Sequence, residues 1–234
     1  MRHSLLIFIL LIIASNLKGQ ATQTTFGLQY KPIIPFEYFN SSYIKKIEGN
    51  YNFNLTPKYS HSFGMILRHK INKIFSTEYG LNYTQRNYTL SINNKIENIN
   101  DLTSFGMRSY EMPIQFLTYV RVSKYWYLNV AFGMSHNILA SDILSYGDKN
   151  EMYFQNTYRK SGGYRALLTN IGVDYRTKNN GIYYLGASLH MPLTEIGRVY
   201  PEYNDFNNQN FEDKFFLDIP GSFITIDFRH FFKE

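Results

Sequence analysis

The sequence predicts an all-β fold: an eight-stranded antiparallel up-and-down barrel that crosses a membrane with its strands. Three observations predict it. Apolar and polar residues alternate with period two along most of the chain after Thr24, the periodicity of strands rather than helices. The connections alternate between tight turns and long polar stretches, as in barrels with short periplasmic turns and longer extracellular loops. Aromatic residues make up 18% of the chain, yet no apolar run beyond the N-terminus approaches the roughly 20 residues a helical span needs.

The first segment is an address. Arg2 and His3 precede the apolar run LLIFILLIIA (residues 5–14) and a polar exit, the layout of a secretory signal peptide, here taken as residues 1–19 with cleavage after Gly19. Residues 20–234 form the mature barrel domain. Losing Arg2 and Lys18 lowers the formal net charge from +6 to +4, too small and too dispersed for a nucleic-acid partner. With no cysteine, the chain has no disulfide framework, thiolate metal site or cysteine nucleophile.

Eight strands follow, at about 24–35, 59–71, 74–92, 104–122, 125–140, 163–177, 181–193 and 221–232. In the second, Phe63, Met65 and Leu67 oppose Gly64, Arg68 and Lys70. The third sets Phe75, Tyr79, Leu81 and Tyr83 against Ser76, Glu78, Gly80, Asn82, Thr84 and Arg86. In the fifth, Trp126, Leu128, Val130, Phe132 and Met134 oppose Asn129, Ala131, Gly133 and Ser135. The seventh places Tyr183, Leu185, Ala187, Leu189 and Met191 opposite Tyr184, Gly186, Ser188 and His190. The last alternates Ile224, Ile226, Phe228, His230 and Phe232 with Thr225, Asp227, Arg229 and Phe231.

Asn72-Lys73, Ser123-Lys124 and Lys178-Asn179-Asn180 are short enough for hairpin turns. The long stretches lie at about 36–58, 93–103, 141–162 and 194–220. With the tight turns in the periplasm, Phe75, Trp126, Tyr175, Tyr183 and Phe232 fall near one rim with the parity of the apolar face, the pattern of an interfacial aromatic girdle. The other face collects Arg68, Glu78, Arg86, Glu111, Asp174, His190, Asp227 and Arg229. A barrel of eight strands has an interior that side chains can fill, so these residues are expected to form a lumenal polar network rather than line a conduit. Alternation alone also allows the inverse, a soluble periplasmic barrel with an apolar ligand pocket.

The stretch SYEMPIQFLTYVRV (residues 109–122), the following YWYLNVAFGMSHNILAS (125–141), Gly162-Gly163-Tyr164 leading into NIGVDY (170–175) and the terminal FITIDFRHFF (223–232) resemble the outer-membrane protein β-barrel domain family of small porin-like, PorT-type barrels. The resemblance covers nearly the whole mature chain. It implies a cell outer-membrane location, contact with outer-membrane lipid, and recognition of the C-terminal strand by the barrel assembly machinery. It also suggests an envelope or secretion assembly as partner. Its motifs are architectural and specify no activity.

Catalysis has weak support in the residues. Ser135 and His136 are adjacent in a strand and therefore point to opposite faces. His190 is the lumenal histidine, with Glu111, Asp174 or Asp227 as conceivable partners, and no nucleophile motif accompanies it. The expected protein is non-enzymatic, with no catalytic residues, no cofactor and no metal. It is structural, or it presents the loops 36–58 and 194–220, dense in Tyr, Phe and Asn, to a protein or glycan. A lipid-modifying outer-membrane enzyme and a periplasmic ligand-binding barrel remain the alternatives.

Overall fold

The computed structural model describes residues 23–34, 43–94, 96, 98–149, 153–203 and 215–233; the signal-peptide assignment lies outside the described residues. The chain forms strands β1 (Thr24–Ile34), β2 (Ile44–Glu48), β3 (Tyr51–Pro57), β4 (Ser60–Lys70), β5 (Phe75–Asn94), β6 (Ile99–Arg121) and β7 (Trp126–Leu139). They are followed by β8 (Ile143–Tyr146), β9 (Tyr153–Arg159), β10 (Gly163–Arg176), β11 (Ile182–Pro192), β12 (Gly197–Tyr203), β13 (Leu217–Ile219) and β14 (Phe223–Phe231).

Eight of them close a ring in the order β1-β4-β5-β6-β7-β10-β11-β14, antiparallel throughout. Closure rests on β14, which pairs with β1 on one side and β11 on the other, Gly27 lying opposite Phe231 and Ile182 opposite Phe231. The eight ring strands fall within a few residues of the eight segments that alternation marks.

The tight turns gather at one end. In the first, the Asn72 Oδ1 accepts the Ile74 and Phe75 amides, each at 2.8 Å, reinforcing the backbone bonds that the Ile71 and Asn72 amides make to the Phe75 carbonyl. In the third, Gly181 has φ +85, and a Cβ there would stand 2.0 Å from the Phe231 carbonyl oxygen. Glycine supplies both the left-handed backbone and the close approach to β14.

The other end differs from the sequence expectation. The stretches at 36–58, 141–162 and 194–220 are not only loops: they contain β2 and β3, β8 and β9, and β12 and β13. The β2–β3 hairpin turns at Gly49 (φ 54) and Asn50 and pairs along the far half of β5. The other strands make a separate four-stranded sheet ordered β13-β12-β9-β8. The β5–β6 hairpin itself continues past the barrel rim, in register from Phe75↔Thr118 to Asn94↔Ile99.

Accessibility decides which face is which. Leu28, Phe63, Met65, Leu81, Ile114, Phe116, Val130, Phe132, Ile171 and Leu185 are exposed on the outside, while the ionic parity is buried within. The apolar side is therefore the exterior of the barrel, not a pocket. On β6 the apolar outward residues run from Tyr110 to Val120, about 34 Å of strand, which at a tilt of about 40° is roughly 26 Å of height, the thickness of a membrane barrel's apolar band.

Candidate functional site

The interior has two zones. In the zone nearer the tight turns, carboxylates and guanidiniums from β4, β5, β10 and β14 meet across the narrow lumen. Arg68 donates from Nε to Glu78 Oε1 and from Nη1 to Asp174 Oδ2, both at 2.8 Å. Arg229 donates to Glu78 Oε2 at 2.7 Å and to Asp227 Oδ2 at 2.6 Å. Arg176 lies 3.4 Å from Asp174, and Lys31 lies 3.8 Å from Asp227. These contacts form one continuous chain of alternating charge: Arg176, Asp174, Arg68, Glu78, Arg229, Asp227, Lys31.

Buried ions repay their desolvation only when the remaining lone pairs and protons also find partners. Asp227 meets that condition: Ser188 and Thr225 hydroxyls and the Asn170 amide donate to it as well, at 2.6, 2.5 and 3.2 Å. Asn129 donates to Asp174 at 3.2 Å. Aromatic rings supply the walls, with the Arg68 guanidinium 3.9 Å from the Phe231 ring centroid and that of Arg229 4.5 Å from Tyr184. The Tyr184 ring lies over two paired glycines. A Cβ on Gly172 or Gly186 would stand 2.3 or 2.0 Å from its hydroxyl, which donates to Asn170 Oδ1 at 2.6 Å.

Glu111, His190 and Arg86 stand apart from this chain. Glu111 accepts from Asn82, which in turn accepts from Gln29. The His190 Nε2 lies 3.4 Å from Glu111 Oε1 without hydrogen-bonding geometry, and the ring is stacked on Phe223 with centroids 4.3 Å apart. Arg86 has no carboxylate within ion-pair distance among the described residues. Its Nη2 donates to the Tyr164 hydroxyl at 2.8 Å and its Nη1 to the Gly221 carbonyl at 3.0 Å.

Arg86 marks the border to the second zone. Beyond it, the inward positions of β5 become Tyr88, Leu90 and Ile92, and those of β6 become Met107 and Phe105. They pack with Phe53 and Leu55 of β3, Tyr153 of β9, Val199 of β12, and Leu217 and Ile219 of β13 into one apolar core. This core closes the barrel end remote from the tight turns. On its outer side the four-stranded sheet carries a row of rings: Tyr146 near Phe154, Tyr158 near Tyr200, and Tyr200 near Phe216, with Arg198 4.5 Å over the Phe216 ring. Asp142 ties the base of this sheet, accepting the Arg159 backbone amide at 2.8 Å and its guanidinium Nε at 3.0 Å. The Arg159 amide and guanidinium hold its carboxyl below the usual range.

The five girdle residues, Phe75, Trp126, Tyr175, Tyr183 and Phe232, are all exposed and outward at the tight-turn end. Trp126 and Tyr175 have centroids 4.8 Å apart, and Phe232 stacks on Phe26 at 5.8 Å. A second aromatic row, not anticipated from the sequence, lies at the other edge of the apolar band. It contains Tyr30, Phe63, Tyr83 and Tyr110, with neighbouring rings 5.2 Å apart for Phe63–Tyr83 and 5.9 Å for Tyr83–Tyr110. The signal was available: on β5 and β6 the next outward residues are Gln85 and Arg108, so each tyrosine is the last apolar position before polar ones.

Among the described residues His136 and His190 stand apart from each other and from Ser135. His136 faces outward while Ser135, on the inner face, accepts from Asn137 at 2.8 Å. His190 is only 3% exposed and opens onto no lipid-facing surface.

No family profile matches the chain, and no curated protein does. Among solved structures, it matches the crystal structure of the outer membrane protein OprG from Pseudomonas aeruginosa with a TM-score of 0.51 at 10% identity, over 93% of this chain and 99% of that one. At that identity the likeness is one of architecture: the chain has the fold of an outer-membrane β-barrel.

Proposed function

We propose that this protein is a closed, non-catalytic barrel of the outer membrane that presents a folded extracellular surface to a partner. The observation that carries this reading is the apolar core sealing the mouth remote from the tight turns. An eight-stranded barrel has an interior that side chains can fill, whereas an open aqueous channel belongs to much wider rings. Here the lower lumen holds paired ions, and strands of the long stretches pack with the upper parts of β5 and β6 on one shared apolar core. Tyr, Phe, Asn and Arg side chains cover the outer face of the four-stranded sheet, a composition suited to contact with a protein or glycan. The PorT-type resemblance belongs to this proposal, and with it a partner in an envelope or secretion assembly.

The test combines two measurements. Planar-bilayer recordings on the purified barrel are expected to show no steady conductance, and protease shaving of intact cells is expected to cut only within the long stretches 36–58, 93–103, 141–162 and 194–220, and not at the three tight turns. Steady large conductance would overturn closure. Cleavage at the tight turns in intact cells would overturn the orientation.

A further inference from the structure

The tight-turn end of the barrel holds a cavity of about 290 Å³ at the mouth of the lumen. Five cations line it: Arg68, Lys70, Lys73, Arg176 and Lys233. No Asp or Glu is among its described lining residues. Among the described residues the nearest carboxylates lie deeper and are already shared, Asp174 between Arg68 and Arg176, and Glu78 between Arg68 and Arg229. Lys70, Lys73 and Lys233 have no ion pair among the described residues.

Two guanidinium nitrogens of the lining arginines lack a partner among the described residues. The Arg68 side chain is 5% exposed, and its Nη2 has no hydrogen-bond partner among the described residues although Nε and Nη1 are both used. The Arg176 Nε is likewise unpartnered, while its guanidinium lies 3.8 Å over the Tyr127 ring and 4.9 Å over Tyr119, which hold it in place. An unmet donor on a buried guanidinium is costly, and several like charges around one small cavity raise its positive potential. A tetrahedral oxyanion answers that potential, because guanidinium forks and ammonium groups together saturate phosphate oxygens. The Ser76 and Thr25 side chains add neutral hydrogen-bonding groups on the same lining.

We propose that this mouth is a binding site for a phosphate group, with Arg68 at its floor, Arg176 on its wall, and Lys70 and Lys233 at its rim. The phosphate comes either from a free phosphorylated solute or from the headgroup of a lipid in the adjoining leaflet. The site is independent of any partner at the opposite end.

The experiment uses the full mature barrel in dodecyl maltoside, a detergent without phosphate. Titration calorimetry with inorganic phosphate and pyrophosphate reads the free-solute arm. Native mass spectrometry after addition of phosphatidylglycerol reads the headgroup arm. In either arm, Arg176→Gln is expected to weaken binding by about tenfold, the loss of one charge-assisted contact. Lys70→Gln and Lys233→Gln, at the exposed rim, are expected to weaken it several-fold, and Arg108→Gln at the opposite end to leave it unchanged. Heat-shifted gel mobility reports that each variant has folded. Saturable phosphate binding without lipid adducts assigns a solute, and phosphatidylglycerol adducts displaced by pyrophosphate assign a headgroup. Absence of binding in both arms, or binding that the Arg176 and lysine variants leave intact, overturns the proposal.

Discussion

The lower and upper halves of the β5–β6 hairpin carry opposite polarity patterns on one continuous pleat. Up to Tyr83 and Tyr110, the inward side chains are Glu78, Asn82, Glu111 and Gln115, and the outward ones are Leu81, Met112, Ile114 and Phe116. Past that level the inward set becomes Tyr88, Leu90, Ile92, Phe105 and Met107, and the outward set Gln85, Asn87, Thr89 and Arg108. Strand geometry is the same in both halves, and so is the parity. What changes is the medium outside. Where hydrocarbon surrounds the sheet, apolar side chains face out and polar groups must satisfy one another within. Where water surrounds it, ordinary hydrophobic burial returns.

The largest test of this contrast is to remove a charge from the lower zone. Glu78→Ala removes one of the two carboxylates of both Arg68 and Arg229, leaves a donor on each buried and unmet, and is expected to cost about 3–5 kcal/mol, read as a fall in unfolding midpoint in lipid vesicles. In the upper zone Leu90→Ala is expected to cost about 2–5 kcal/mol of cap stability. Its signature differs: protease cuts within residues 143–159 while the heat-shifted barrel band survives. Loss of both properties together would show that the two zones unfold as one unit.

A finer comparison uses one strand and one face. Tyr79→Arg, midway along the apolar band, places a charge against lipid and is expected to cost about 2 kcal/mol, whereas Asn93→Arg, fourteen residues farther with the same outward parity, is expected to change stability by under about 0.5 kcal/mol. Equal costs would contradict a membrane boundary at Tyr83. Gly172→Ala, which drives a methyl toward the Tyr184 ring, is expected to destabilise by about 1–3 kcal/mol in the same vesicle assay. A small, pH-dependent effect belongs to Asp142. Its folded pKa is depressed, so its contribution is present above the unfolded carboxylate pKa and is lost as pH falls through the lower folded value. Because it is well exposed, Asp142→Asn is expected to cost under about 1 kcal/mol, measured by amide exchange at Arg159, with the difference from wild type vanishing at strongly acid pH.

The barrel strands were legible because the membrane imposes a strict apolar face on each of them. The cap strands were hidden because that rule lapses there. In β9 the buried parity holds Tyr153, Gln155 and Thr157 while the outward parity holds Phe154 and Tyr158, so hydropathy runs against burial. The β2–β3 hairpin left one readable trace, the Gly49-Asn50 pair, a turn signal set within a stretch whose outward residues include Ile47. The ion pairs divide in the same way. Arg68 and Glu78 face each other across the β4–β5 turn, a pairing that turn length alone fixes. Glu78 and Arg229 sit on strands that are not neighbours, and their meeting depends on the stagger of the closed ring, which no local pattern encodes.

The seam between β1 and β14 also governs how this molecule is made. It joins the first described strand to the last, so no order of hairpin formation completes the ring until β14 is in place. Until then β1 and β14 each hold a row of unpaired amides and carbonyls, which hydrocarbon does not tolerate. Loop-closure entropy over nearly the whole sequence must be overcome in that one step. The slow event of assembly is therefore the zipping of Gly27 to Phe231, and a chain shortened by its last strand would keep every tight hairpin and still fail to remain in the membrane.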